Sequence, residues 1–201
     1  MTRRPPVLAL AGLTLSLSVL SAPALAQTAA APAKAAEPSI LDRAVNQPGT
    51  NWSFYGPNKA KAVKVEGVPG NEAVQVTIDR AGAHPYDTGA VSPIQKPIAA
   101  GDTVLVAVYM RAPQLKAGET TPIPFFGATE GDAPYTTIAG SNADVGPDWK
   151  LYRAAAKSPK GFTAGKARAT VHLAAAKHVV ELGPIFVLDY KNDADPAALL
   201  K

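Results

Sequence analysis

The stretch Asp102 to Ala112, DTVLVAVYMRA, alternates without a break. Val104, Val106, Val108 and Met110 fall on one side of an extended chain, and Leu105, Ala107, Tyr109 and Arg111 fall on the other. A period of two belongs to a pleated strand, because a helix would scatter the same residues around its circumference. The first set is wholly aliphatic and predicts a face turned into a core. The second set ends in an aromatic ring and a cation, which predicts a face with other business. The chain has no cysteine, so buried apolar surface must hold the fold without disulfides.

The same signal recurs along the chain, punctuated by turn residues. Strands are expected at Trp52 to Tyr55, Ala62 to Glu66, Ala73 to Ile78, Ala90 to Ile98, Asp102 to Arg111, Ile123 to Thr129, Tyr135 to Ala139 and Trp149 to Ala156, then at Ala167 to Ala175 and Val179 to Tyr190. Val68, Pro69, Gly70 and Asn71 read as a hairpin turn. Pro93 and Pro97 favour an edge position for the strand that holds them. Gly183 and Pro184 interrupt the last strand. Ala167 to Lys177 is rich in alanine, yet Ala169, Val171 and Leu173 alternate with Arg168, Thr170 and His172, so strand wins over helix. Nine or ten strands and no long helix predict an all-β, two-sheet antiparallel sandwich. The strand count favours a jelly roll over an immunoglobulin-like arrangement.

The segment Met1 to Ala26 reads as a signal peptide. Arg3 and Arg4 precede an apolar run from Val7 to Leu20, and Ala24, Leu25 and Ala26 supply a small-x-small cleavage pattern before Gln27. The Arg pair allows a twin-arginine route, but Pro5 and Pro6 follow where that signal carries an apolar residue, so ordinary secretion is favoured. The expected location is secreted or periplasmic, and the run is short for a membrane span of ~20 residues. Gln27 to Pro38 is an Ala/Pro-rich linker. The folded domain is expected over 39–191. Asn192 to Lys201 is a tail or a short helix capped by Asp195 with Pro196 in its first turn. Removing Arg3 and Arg4 from 20 Lys and Arg leaves 18 against 16 Asp and Glu. So small an excess is too weak to argue for nucleic acid, which calls for a concentrated basic patch, and no nucleic-acid partner is expected.

The order of motifs is informative. VEGVPGNEAVQVTI is followed by HPYDTGAV and IAAGDTVLVAVYMRAP, then by DWKLYRAAA and KARATVHLAAAKHVVELGPIFVLDY. This series resembles the galactose-binding-like jelly rolls, specifically the carbohydrate-binding modules attached to xylanases and cellulases. The places of the pattern are held by Tyr86 with Asp87, Gly101 with Asp102, Arg111 with Ala112, Trp149, and Gly183 with Pro184. The resemblance spans Ser39 to Tyr190. It implies a polysaccharide or glycan partner, bound on a concave sheet face or at edge loops. It also implies a structural calcium near the chain termini, for which Asp42 and Asp189 are the acidic candidates. Calcium needs six to eight oxygens, so a solvated Asp42 and a strand-end Asp189 are the competing reading.

Alternation nominates the ligand face. If the strands holding Tyr109 and His172 are neighbours, Tyr109, Arg111, Arg168 and His172 share one surface, with stacking area and hydrogen-bond donors suited to a sugar. Tyr86, Tyr135 and one of Phe125 and Phe126 would add platforms. The expected ligand-binding set is Tyr86, Tyr109, Arg111, Phe126 and His172. Each has a structural alternative: Tyr109 at the edge of the core, Arg111 paired with Asp87 or Glu130, His172 as a plain surface histidine. No nucleophile elbow, zinc-protease helix, phosphate loop or dinucleotide fingerprint occurs. Tyr109, His172 and Arg111 could imitate a polysaccharide lyase, which stays as the enzymatic alternative. A structural or protein-interaction module of the cell envelope is the other.

Overall fold

A computed structural model describes residues 39–201. The expected signal peptide and linker lie outside the described residues. Ten strands follow one another: β1 Ser53–Tyr55, β2 Lys59–Lys64, β3 Glu72–Ile78, β4 Gly89–Ile94, β5 Thr103–Arg111, β6 Thr121–Glu130, β7 Thr137–Val145, β8 Lys150–Lys157, β9 Ala167–His172 and β10 His178–Asp189. They form two five-stranded antiparallel sheets, in the orders β1-β4-β9-β6-β7 and β2-β3-β10-β5-β8. The helical turns among the described residues are short 3-10 segments. This is the jelly-roll sandwich that the alternation predicts.

The core lies between the sheets. Val104, Val106, Val108 and Met110 of β5 are completely buried and belong to the same cluster as Ile123, Phe126, Ala169 and Val171 from the opposite sheet. Each such aliphatic side chain contributes roughly 1.5–3 kcal/mol by leaving water. Polar anchors close the ends of the sandwich. Asn46 Nδ2 donates to the Ile185 carbonyl at 3.1 Å, and the Val187 N–H donates to Asn46 Oδ1 at 2.8 Å. His178, one residue ahead of the expected last strand, opens β10 and is buried. Its Nε2 faces the Leu173 carbonyl at 3.0 Å, so that nitrogen carries the proton, and Nδ1 takes the Thr121 hydroxyl at 2.7 Å.

The second face of β5 is not plain solvent. Leu105 is buried with Ala44 and Leu188, and Phe186, Tyr190 and Leu199 pack around them. The 3-10 turns Ile40–Arg43 and Pro196–Leu200 bring the two ends of the described chain to this sheet. Asp195 caps the second turn by accepting the Ala197 N–H, with Pro196 at its start. On the outer strand β2, Lys59, Lys61 and Lys64 occupy an exposed edge, where cations discourage further strand addition.

Two local expectations change. The proline-bearing strand β4 is not an edge strand, because it pairs with both β1 and β9. Its partner β1 stops opposite Val91, so Pro93 needs no ladder donor on that side. Gly183 and Pro184 mark the interruption expected in the last strand: the pairing of β10 with β5 shifts register between Leu182 and Ile185, and the strand then continues. Tyr135 stands outside β7, in the β6–β7 turn, with φ of 56°.

Candidate functional site

The outer face of the sheet β1-β4-β9-β6-β7 carries a groove of about 880 Å³, lined chiefly by Tyr55, Tyr86, Phe125, Tyr135, Arg168 and His172. Strand register explains how it is built. One row across the strands runs Tyr55, Gly89, His172, and a second runs Val91, Thr170, Gly127, Gly140. A third runs Pro93, Arg168, Thr129, Thr137. The middle row is low because two of its members have no side chain. The outer rows rise as an aromatic wall and a cationic, hydroxyl-bearing wall.

Two glycines let the rings lie down. A Cβ on Gly140 would stand 2.5 Å from Phe125 Cε2, and one on Gly89 would stand 2.5 Å from the Tyr55 hydroxyl. Any side chain at either place would push a ring off the sheet. Phe125 then tilts against His172 with centroids 5.0 Å apart. Tyr86 meets His172 edge-on at 6.1 Å and stacks on His84 at 5.0 Å. Tyr86 and Tyr135 are more than half exposed, so large apolar faces stand open at both walls. The left-handed backbone of Tyr135 is uncommon for an aromatic residue. It is the conformation in which that ring sits 5.8 Å from the Arg168 guanidinium carbon.

Electrostatics are simple here. Arg168 projects from β9, the middle strand of the sheet. Burial pushes the His172 imidazole down from its ordinary value, and the neighbouring Arg168 charge pushes the same way. His172 is therefore neutral at pH 7. Burial raises the Tyr55 phenol, partly opposed by Arg168. Thr129 and Thr170 share a hydroxyl hydrogen bond of 3.1 Å beneath the groove. The arrangement offers ring faces for stacking, a forked cation and several hydroxyls. It does not present an ionised base beside a nucleophile.

The expected ligand set divides. Tyr86 and His172 lie in the groove. Phe126 is 1% exposed and belongs to the core, while its neighbour Phe125 lines the groove. A register shift in β6 between Ile123 and Phe126 is the reason: strict alternation from the inward Ile123 would have turned Phe126 outward. Tyr109 and Arg111 are on the other sheet, since β5 pairs with β10 and β8 rather than with β9. Arg111 donates from Nε to Glu181 at 2.7 Å and stacks on Trp149 at 4.7 Å. Its partner is thus neither Asp87 nor Glu130. The Tyr109–His172–Arg111 grouping that a lyase would need is not assembled.

The implied calcium does not fit the residues present. Asp189 is buried, accepts the Lys191 N–H and ammonium, and shares that ammonium with Asp102. A fixed side-chain cation already balances these carboxylates. Asp42 sits exposed on the first 3-10 turn. Among the described residues no three acidic or imidazole side chains cluster as metal ligands.

No family model matches this chain, and no curated protein matches it. Solved structures do. The second N-terminal cellulose-binding domain of Cellulomonas fimi β-1,4-glucanase C is similar with TM-score 0.52 at 20% identity, over 75% of this chain and 98% of that one. Clostridium thermocellum xylanase 10B CBM22-1–GH10 modules, in complex with xylohexaose, give 0.52 at 16% identity, over 77% of this chain and 30% of that one. An arabinose-bound α-L-arabinofuranosidase gives 0.53 at 11% identity, and this chain spans 26% of its length. At these identities the likeness establishes the fold, the jelly roll shared with carbohydrate-binding modules of xylanases and cellulases. No helix among the described residues is long and apolar enough to cross a membrane.

Proposed function

We propose that the chain is a secreted, non-catalytic module that binds a polysaccharide in the groove over β1-β4-β9-β6-β7. The observation that carries this reading is the pairing of open ring faces with a forked donor across a floor of small residues. Saccharide rings are flat on their CH faces and hydroxylated at their edges, so they stack on aromatic faces and take hydrogen bonds from the sides. Tyr86, Phe125 and Tyr135 supply the faces, and Arg168, Thr137 and His172 supply polar contacts. The fold shared with a cellulose-binding domain and with a module solved beside xylohexaose supports the same reading.

Affinity electrophoresis through xylan, β-glucan, hydroxyethyl cellulose and polyuronates tests it. Retention by at least one polymer is expected. Tyr86→Ala and Phe125→Ala should each weaken that retention about tenfold, equivalent to losing about 1.4 kcal/mol of stacking. Tyr109→Ala, on the opposite sheet, should leave it unchanged. Failure of every polysaccharide to retard the protein overturns the reading. Export is tested separately: N-terminal sequencing of the protein recovered outside the cytoplasm should begin at Gln27.

A further inference from the structure

We propose that the groove is selective for an acidic glycan, with the carboxylate of a uronic acid residue seated on Arg168. This rests on the glycan-binding reading and deepens it.

Charge balance carries the inference. Among the described residues that line the groove there is no Asp or Glu. Arg43 and Arg111 each meet a carboxylate, Asp193 and Glu181 respectively. Arg168 makes no ion pair among the described residues, and its buried Nε has no hydrogen-bond partner. The carboxylates closest in sequence to the groove residue Thr129 are already taken: Glu130 by Lys160 and Asp132 by Lys166. What faces the guanidinium is the Tyr135 ring, a weak partner compared with a carboxylate. His172 adds no competing cation at neutral pH, being held neutral by burial and by Arg168 itself.

Geometry agrees with charge. Arg168 stands on the central strand, with Pro93 on one side and Thr129 on the other in register. A guanidinium there is half-buried, so an incoming carboxylate meets it away from bulk water, where a forked, charge-assisted pair is strongest. The low floor at Val91, Thr170 and Gly127 separates Arg168 from the ring wall at Phe125 and Tyr86. A sugar stacked on that wall can therefore direct a ring substituent across the floor to Arg168. The neutral counterpart, a hydroxymethyl group, would leave the guanidinium without a counter-charge.

The probes are alginate, polygalacturonate and glucuronoxylan, each compared with the same polymer after chemical reduction of its carboxyl groups to hydroxymethyl. Binding is followed by calorimetry and affinity electrophoresis. At least one native polymer should bind ten or more times more tightly than its reduced form. Arg168→Gln should erase that preference, lowering affinity for the native polymer about ten times more than affinity for the reduced one. Arg168→Lys should retain part of it, since charge survives and the fork does not. Thermal melting of both variants reports on folding, and a variant that melts early is replaced in the comparison by the other.

If native and reduced forms bind equally, or if neutral xylan or β-glucan binds as tightly as any polyuronate, acidic selectivity is refuted and the glycan-binding reading stands. If Arg168→Gln weakens both forms alike, Arg168 is not the carboxylate seat. If no polymer of either kind binds, the glycan reading has failed and the selectivity falls with it.

Discussion

Replacing Lys191 by Met should destabilise this domain strongly at neutral pH and weakly in acid. The Lys191 ammonium lies 3.2 Å from Asp102 and also contacts Asp189, whose side chains are 5% and 2% exposed. Asp102 also accepts the Ala99 N–H at 2.9 Å. Burial pushes the Asp102 carboxyl up, but the Ala99 N–H and the Lys191 charge outweigh it, and the net shift is downward. The Lys191 ammonium is pushed up, mainly by its bond to Asp189. A carboxylate lowered on folding contributes stability above its unfolded value near 4, lost as pH falls through the folded value. An ammonium raised on folding contributes below its unfolded value near 10.4, lost as pH rises through the folded value. Between these limits the pair is fully effective.

Removing one partner of a fully buried pair costs about 3–5 kcal/mol. Lys191 is itself 59% exposed, so water screens the loss and about 2 kcal/mol is the reasonable figure. For a domain of this size that is a fall in Tm of roughly 4–8 °C. Met preserves most of the aliphatic stem, so lost packing contributes little. Calorimetry at pH 7 and pH 3 gives the test. In acid, protonation of Asp102 relieves the variant, and the deficit should shrink by at least half. An unchanged Tm at pH 7, or a deficit of equal size at both pH values, would refute the electrostatic reasoning.

The groove makes its own demand on Gly140: Gly140→Ala should displace the Phe125 ring and weaken polysaccharide retention severalfold, with little change in melting, because the site is an exposed position on an edge strand. Equal retention by the variant would show that the ring does not contact ligand. The double change Tyr109→Ala with Arg111→Ala should lower stability by about 1–3 kcal/mol, since Glu181 is left buried with Gln75 as its remaining side-chain partner, while retention stays as in the parent. Loss of retention in a folded double variant would place ligand on the wrong sheet. Burial lowers the His178 imidazole, so the unfolded chain binds more protons and stability falls as pH drops below about 6.5. His178→Gln should make the dependence of the urea midpoint on pH shallower between pH 7 and 5, and an unaltered slope would count against a neutral, doubly bonded ring.

Strand identity was legible because side-chain period is a local property. The inward row of β5 and the alternation of Arg168, Thr170 and His172 on β9 could be read without knowing any partner. Alternation says which residues share a face of one strand. It cannot say which strands are neighbours, and that is why Tyr109 and His172 were expected together and stand on different sheets. Choosing Phe126 over Phe125 as the exposed ring fails for a related reason. A bulge changes parity in the middle of β6, and nothing in IPFFG announces it. Tyr55, Gly89 and Gly140 also escaped notice, since a glycine that admits a ring from another strand is meaningful only once register is known. The Lys191 ammonium beside Asp189 depends on a turn two residues beyond the strand, a contact no spacing rule supplies.

Both ends of the described chain are gathered on the back of the molecule. Ile40–Arg43 rests against β10, and Pro196–Leu200 rests against β8 and β5, whereas the groove opens from the other sheet. A scaffold coupled through Ser39 or Lys201 would therefore hold the domain from behind, with Tyr86 and Tyr135 displayed outward. Immobilisation by either end should be interchangeable for capture assays, whereas coupling through side chains of the groove sheet would blind the module.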